Sequence, residues 1–423
     1  MSETGRLAGV TDTSTKTPGP LAGIRVIESS MLGPGGISTH LADLGADVIK
    51  VESPGGDYIR QMSWPIIEGE SLLHWHISRG KRSIVLDLKS PEGVEIYKEL
   101  VADAHVVVEA MRPGALERLG LGYDELRKVN PAIVFCTISG YGSTGPYKTL
   151  PSHGIAYDTW AGVVKPEYDE EGFPYIPEHV SIGINAAPVF GAMGILAGVV
   201  QALQTGEGCQ MEIAQSDSAA AMDWFRSETH KAYERPESEV TGNKADNYER
   251  RAPGVAGMKG GVRYSIYESS DGYIIFMSSE QAFWRNFCEA IGRPELFEKW
   301  PGSQYADHAR GNRELQAILA EVFKTKSTMD WTFFGDEHNV PIAPVHTPGT
   351  LADDPQFKDR LGFLPASEHG ADMLPTPIKI VGKELLPPRK APTVGQHSDE
   401  VLREVLGKSD DEIATLRANG TTA

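Results

Sequence analysis

The sequence predicts an α/β protein, with a large domain built on a parallel sheet and a smaller α+β domain after it. Three observations carry this. Strand-like apolar runs alternate with helical stretches through the first half of the chain, the pattern of a parallel sheet covered on both faces. After about Asp217 the alternation stops, and a polar stretch leads into a hairpin pattern. The chain's 423 residues exceed what one ordinary core organises.

Taken in order, "GIRVIESS" is the first strand, "MLGPGGISTHLADLG" a glycine loop and helix, and "ADVIKVES" the next strand, ending in an acid. Together they make a β-α-β unit. "SIVLDL" is a further strand, and "PEGVEIYKELVADA" a helix with proline at its start. "HVVVEA" and "AIVFCTISGYG" are two more strands. "AAAMDWFRSETHKAYE" is helical, and "RPESEVTGNKADNYERRAPG" is loop-like. In "VRYSIYESSDGYIIFMSS" a Ser-Ser-Asp-Gly turn separates two alternating runs, which predicts a hairpin. Amphipathic helices follow around Ala282–Ile291 and Asn312–Phe323. The expected organisation is a flexible N-terminus over 1–20, a large domain over 21–224, a small domain over 225–335, and a Pro-rich return to the large domain over 336–423.

Composition narrows the function classes. A hydrophobic share of 40% with 23% charge is that of a globular chain. No run of about 18 apolar residues stands out, so no membrane span is predicted. The polar first residues lack the apolar core of a secretory signal. Cys136, Cys209 and Cys288 make neither a metal spacing nor a disulfide framework, so a reducing cytoplasm and no metal are expected. A formal net charge of −18 argues against nucleic acid as the main partner. It leaves room for an anionic small ligand in a locally basic pocket.

Three stretches could carry chemistry. Gly33-Pro34-Gly35-Gly36, with Glu52 closing the next strand, resembles part of a dinucleotide fingerprint. The third glycine of G-x-G-x-x-G would fall at Ser38, so a plain loop is an equal reading, and the helix start there could still cradle an anion. The basic residues Arg79, Lys81, Arg82, Lys89, Arg112 and Arg118 near strand ends could hold phosphates or be ordinary surface charge. "GYGSTGPYKTLPSHGIAYDTWAG" leads into a helix with His153 and Asp158, a possible acid–base pair. At a separation of five residues the two do not share a helix face.

The segments "LAGIRVIE", "LGADVIKVESPGGD", "GKRSIVLDLKSPEG", "RPGALERLGLGYDEL", "NPAIVFCTISGYGSTGPY" and "DGYI" resemble the family III CoA-transferases, a group that includes formyl-CoA and carnitine CoA-transferases and α-methylacyl-CoA racemases. The resemblance implies a Rossmann-like large domain, a small domain, and two chains interlocked like links. It implies coenzyme A, as an acyl-CoA thioester, as cofactor or co-substrate, and an organic acid as the other substrate. By position it places CoA contacts at Met31, Leu32, Ser53, Leu88, Lys89, Met111 and Arg118, with Ser53 standing where some members have arginine.

The departures from that family bear on mechanism. Family transferases use an Asp that attacks the acyl-CoA thioester and carries the acyl group as a mixed anhydride, then becomes a thioester itself. Counting back from Gly194-Ile195-Leu196-Ala197 puts that position at Ile184, beside Asn185. The racemase acid position falls at Gly154, next to a retained His153, and "LGLGYDEL" lacks the second His. The chain is thus similar to the Asp-less subunit of the succinyl-CoA:benzylsuccinate type. Three functions stay open. One is a transferase subunit whose paralogous partner supplies the Asp. Another is a homodimeric acyl-CoA isomerase, racemase or lyase using Asp158, Glu28 or His153. The third is a non-catalytic acyl-CoA binding protein.

Overall fold

The computed structural model describes residues 16–111, 114–178, 180–242, 248–250, 260–303 and 307–423. The chain divides into two compact units, one ending at Trp224 and resuming over Leu361–Ala423, the other spanning Phe225–Arg360.

The first unit is built on six strands: β1 (Arg25–Ser29), β2 (Asp47–Glu52), β3 (Lys81–Val85), β4 (Val106–Glu109), β5 (Val134–Ser139) and β6 (Gln210–Ala214). All neighbours pair parallel, in the order β6-β5-β4-β1-β2-β3. Alternation along each strand sorts side chains onto two faces. Ile27, Ile49, Ile84, Val107 and Phe135 point into one buried cluster, with Tyr97 and Leu100 of α2 (Pro91–Ala102). Val26, Val48, Val106, Val108, Val134 and Cys136 point into the other, against Ile37 and Leu41 of α1 (Gly36–Asp43). Ser90 caps α2 by accepting from Gly93 N at 3.0 Å, and Pro91 takes the first helical position.

On that second face lies α4 (Ile182–Thr205), which follows the short helix α3 (Ile155–Trp160). α4 is 24 residues long and contains an 18-residue window of mean hydropathy 1.8, enough by length and composition to cross a membrane. This corrects the expectation that no such run exists. Its small residues explain its place instead: they let the helix lie close on the sheet, where Ala187, Ala192, Ile195 and Val199 join the buried cluster. A Cβ at Gly191 would meet Ile37 Cγ1 at 2.9 Å.

Residues 1–15 of the expected flexible N-terminus lie outside the described residues. From Thr17 the chain is tied down, since Thr17 N donates to Glu384 O at 2.9 Å and pairs in a bridge with Leu385. The expected boundary at 335 moves to Arg360, because β9 (Ile342–Pro344) pairs antiparallel with β8 (Tyr273–Met277) of the predicted hairpin. β7 (Tyr264–Glu268) completes this three-stranded sheet. Helices Gln281–Ala290, Arg313–Phe323 and Thr328–His338 supply Trp284, Phe287, Phe323 and Trp331 to the second unit's aromatic core.

Candidate active site

The strand order reverses direction at β1: the chain steps to β2 and β3 on one side, then to β4, β5 and β6 on the other. Open parallel sheets bind ligands in the crevice outside the carboxyl ends of the strands at such a switch point. A cavity of about 330 Å³ opens there. Met31 after β1, Ser53 after β2, Leu88 and Lys89 after β3, and Met111 after β4 all line it. The fold thus gathers residues from four loops that lie far apart in sequence. Leu32 and Arg118 are not part of this lining: Arg118 ends a short helix, Ala115–Arg118, exposed, while its neighbour Leu119 reaches the cavity wall.

Beneath the cavity lies a buried ion cluster. Glu28, Lys50 and Lys81 occupy the same sheet face on three adjacent strands and are almost fully buried. Lys81 Nζ meets Glu28 Oε2 at 2.6 Å, and Lys50 Nζ meets Glu28 Oε1 at 3.1 Å and Asp57 Oδ2 at 3.0 Å. Burial alone would raise the Glu28 carboxyl, but Lys81 and Lys50 outweigh it and hold Glu28 at about 2. Burial also draws Lys81 down to about 8, against the pull of Glu28. From sequence, Lys81 could hold a phosphate or be ordinary surface charge; it is neither exposed nor free, being paired with Glu28. The missed signal was an acid and two lysines at inward positions of otherwise apolar strands, which only mutual pairing permits.

Arg79 and Arg82 are also internal. Arg79 forks onto Asp43 at 3.0 and 2.7 Å, and Arg82 onto Asp47 at the same two distances. Both arginines are buried, and each commits its guanidinium to an internal carboxylate. Arg112 lies outside the described residues. Glu52, the acid that a dinucleotide reading would place on a ribose, is filled from within. Arg60 Nη2 donates to its Oε1 at 3.0 Å and Ser83 Oγ at 2.6 Å, while Asp57 N donates to its Oε2 at 2.9 Å.

Glu109, at the carboxyl end of β4 and almost wholly buried, was not singled out from sequence. Burial pushes its carboxyl up to about 7; the Met111 N–H, donating to Oε1 at 3.1 Å, opposes this, and Glu117 reinforces it. A carboxyl whose folded value lies above its unfolded value of 4.5 binds an extra proton in the native state. Its contribution therefore falls as pH rises from about 4.5 to 7. Glu109→Gln keeps the acceptor for Met111 and removes the charge. It is expected to match the wild type near pH ~5 and to be more stable by about 1–3 kcal/mol near pH ~8. Urea unfolding at the two pH values checks this; equal midpoints for both proteins at the higher pH would refute it.

Ile184 lies in the first turn of α4, half-buried. Its side chain packs in the gap left by two glycines. A Cβ at Gly33 would stand 2.9 Å from Ile184 Cγ2, and one at Gly154 would overlap Ile184 Cδ1. Asp158 anchors this helix start, accepting from Gly183 N at 2.7 Å. Asp158 is fully buried and His153 is exposed, preceding α3 instead of lying in it, so the structure does not join the two. Glu28 is likewise fully buried. Leu32, linking the cavity residue Met31 to Gly33, has φ 61° and ψ −148°, a strained backbone region for a residue with a side chain. Such strain concentrates at functional loops.

Gly154 has helical angles, φ −40° and ψ −51°, so alanine there is penalised only by the overlap with Ile184. Gly154→Ala is expected to destabilise by about 1–3 kcal/mol. Ile184→Val removes Cδ1 and should recover most of that loss in the double variant, a coupling that a double-mutant cycle measures. Additive effects would show that the two residues do not touch.

The six-stranded parallel sheet with a crevice at its switch point defines an open α/β architecture. More specifically, the chain belongs to CoA-transferase family III, whose family model matches residues 21–398. It is 30% identical over 410 residues to the succinyl-CoA:glutarate CoA-transferase of Homo sapiens, covering 95% of this chain and 89% of that protein. It is 29% identical to the succinyl-CoA–L-malate CoA-transferase beta subunit of Chloroflexus aurantiacus, covering 96% of this chain and 98% of the relative. A CAIB/BAIF family protein from Brucella suis superposes with a TM-score of 0.73 at 26% identity, covering 92% of this chain and all of that one.

Proposed function

We propose that this chain is one subunit of a CoA-transferase that moves CoA from a donor such as succinyl-CoA to an organic acid. A partner chain of the same fold supplies the attacking carboxylate. The observation that carries this reading is Ile184, a hydrocarbon side chain in the first turn of α4, where counting along the family motif puts the nucleophile. The relatives' names support the donor, and the name of the Chloroflexus beta subunit supports an assembly of more than one chain type. Val189, Met193, Val200 and Leu203, spaced along one side of α4 and half to two-thirds exposed, support a covered face in an interlocked assembly.

In this reading the partner's carboxylate oxygen attacks the thioester carbonyl, the C–S bond breaks, and CoA leaves as the thiolate. The thiolate then attacks the carboxylate-derived carbonyl of the anhydride, freeing the donor acid and leaving CoA on the partner. The acceptor acid repeats the exchange in reverse. This chain's part is to hold the nucleotide end of CoA in the cavity lined by Met31, Ser53, Leu88, Lys89 and Met111. The loop Met31–Gly33 connects that cavity to Ile184.

The test is acyl trapping with succinyl-CoA and hydroxylamine, on the chain alone and co-expressed with an Asp-bearing paralogue. No adduct on this chain, and CoA transfer only with the partner, is the expected result. An adduct on one of this chain's own carboxylates would overturn it in favour of a self-sufficient enzyme.

A further inference from the structure

β3 is an edge strand of the six-stranded sheet, with β2 on its one paired side. A strand edge leaves the N–H and C=O of every second residue open. Here residues of the same unit, from the far end of the chain, match them. Ser83 O accepts from His397 N at 2.9 Å, and Ser83 N donates to His397 Nδ1 at 3.2 Å. Val85 N donates to Ser398 Oγ at 3.2 Å, and Val85 O accepts from Thr422 Oγ1 at 2.8 Å. Asp87 N then donates to Thr421 O at 2.9 Å. The last two bonds reach the cavity wall, since Leu86, Asp87, Leu88 and Lys89 are four consecutive residues of its lining. On one side of that wall, Leu86 N donates to Glu52 O at 2.9 Å and ties it to β2. On the other side stand Thr421 and Thr422, both almost fully buried. Their own N–H groups donate to Leu416 O at 2.9 and 3.3 Å, so the helix Asp410–Ala418 anchors them. Asp87, held in this way, accepts from Lys89 N through Oδ1 at 3.0 Å and from Ser90 Oγ through its carbonyl at 2.8 Å.

We infer that Thr421 and Thr422 are positioning residues for the switch-point cavity. They hold the Leu86–Lys89 wall in place from outside the lining, although 337 positions separate Thr422 from Val85. The binding consequence rests on the CoA reading proposed above. A wall fixed before a ligand arrives spares the complex the cost of ordering it. Loss of the Thr422 hydroxyl removes the donor to Val85 O and loosens the wall on the side away from β2.

Hydrogen exchange on the full chain tests the positioning directly. In the wild type the Asp87 amide is expected to exchange as slowly as the amides of β3, and exchange at the rate of an open loop would overturn the inference. Thr422→Val keeps the shape of the side chain and removes the hydroxyl. It is expected to speed exchange at Asp87 and Lys89 by about fivefold or more, while the amides of β1 keep their rates. Titration calorimetry with CoA is expected to show binding weakened roughly three- to tenfold in Thr422→Val and restored in Thr422→Ser, which keeps the donor. Unchanged exchange at Asp87 and Lys89, or unchanged affinity in a chain that binds CoA, would overturn the inference and leave the two threonines a purely structural role. Absence of heat from the wild type with CoA removes the CoA reading, and the exchange rates then decide the positioning by themselves.

Discussion

Ile184→Asp is expected to give the isolated chain an acyl adduct from succinyl-CoA that the wild type does not form. The fold around that position is already suited to a carboxylate. The first turn of α4 places the side chain at the positive end of a 24-residue helix. Asp is smaller than Ile, so the gap beside Gly33 and Gly154 admits it without overlap. Asp158 still anchors the helix start through Gly183. A carboxylate held against a bound thioester gains on the order of a thousandfold or more over the same group in solution. Hydroxylamine trapping followed by peptide mass analysis measures it. A variant as inert as the wild type, with its fold intact, would show that Ile184 does not mark the nucleophile position.

Glu28→Ala is expected to cost about 3–5 kcal/mol, the loss typical of removing one partner from a buried ion pair. Lys50 would keep Asp57, but Lys81 would keep only the carbonyl oxygen of Gly35, at 2.8 Å. For a unit of this size the melting temperature should fall by about 10 °C. The pH dependence has a definite sign. Glu28 is held at about 2 against 4.5 unfolded, so its stabilisation is present above about 4.5 and is lost as pH falls toward 2. Wild type and variant should therefore converge in acid. A melting temperature unchanged near neutral pH would show that the cluster does not hold the sheet face together.

The cavity was partly legible in sequence. Met31, Ser53, Leu88, Lys89 and Met111 came from resemblance to a family, and the fold brings all five to one crevice. The floor of that crevice was not legible: Asp57 and Glu52 owe their roles to Lys50 and Arg60, and charge on a strand looks the same in sequence whether water or a counter-ion matches it. For the same reason the burial of Arg79, Lys81 and Arg82 could not be read from sequence.

The sequence by itself determined the order of strands and helices, because alternation with period two and helical spacing are local properties of the chain. It also determined the hairpin, since Ser-Ser-Asp-Gly suffices to turn two apolar runs back on each other. With the family resemblance as a guide, it also drew attention to Ile184, a hydrocarbon side chain where counting along the motif leads one to expect an acid. Only the tertiary structure decided the rest. The edge strand β6, with outward Gln210 and Glu212, shows no apolar run and is defined by pairing with β5. The second unit's boundary depends on β9, three residues whose partner strand lies more than sixty positions earlier. The contact of Ile184 with Gly33 and Gly154, and the pairing of Glu28 with Lys50 and Lys81, join residues from separate strands, loops and helices. Such contacts form only when the sheet closes, because burial is what makes a missing side chain or a matched charge decisive.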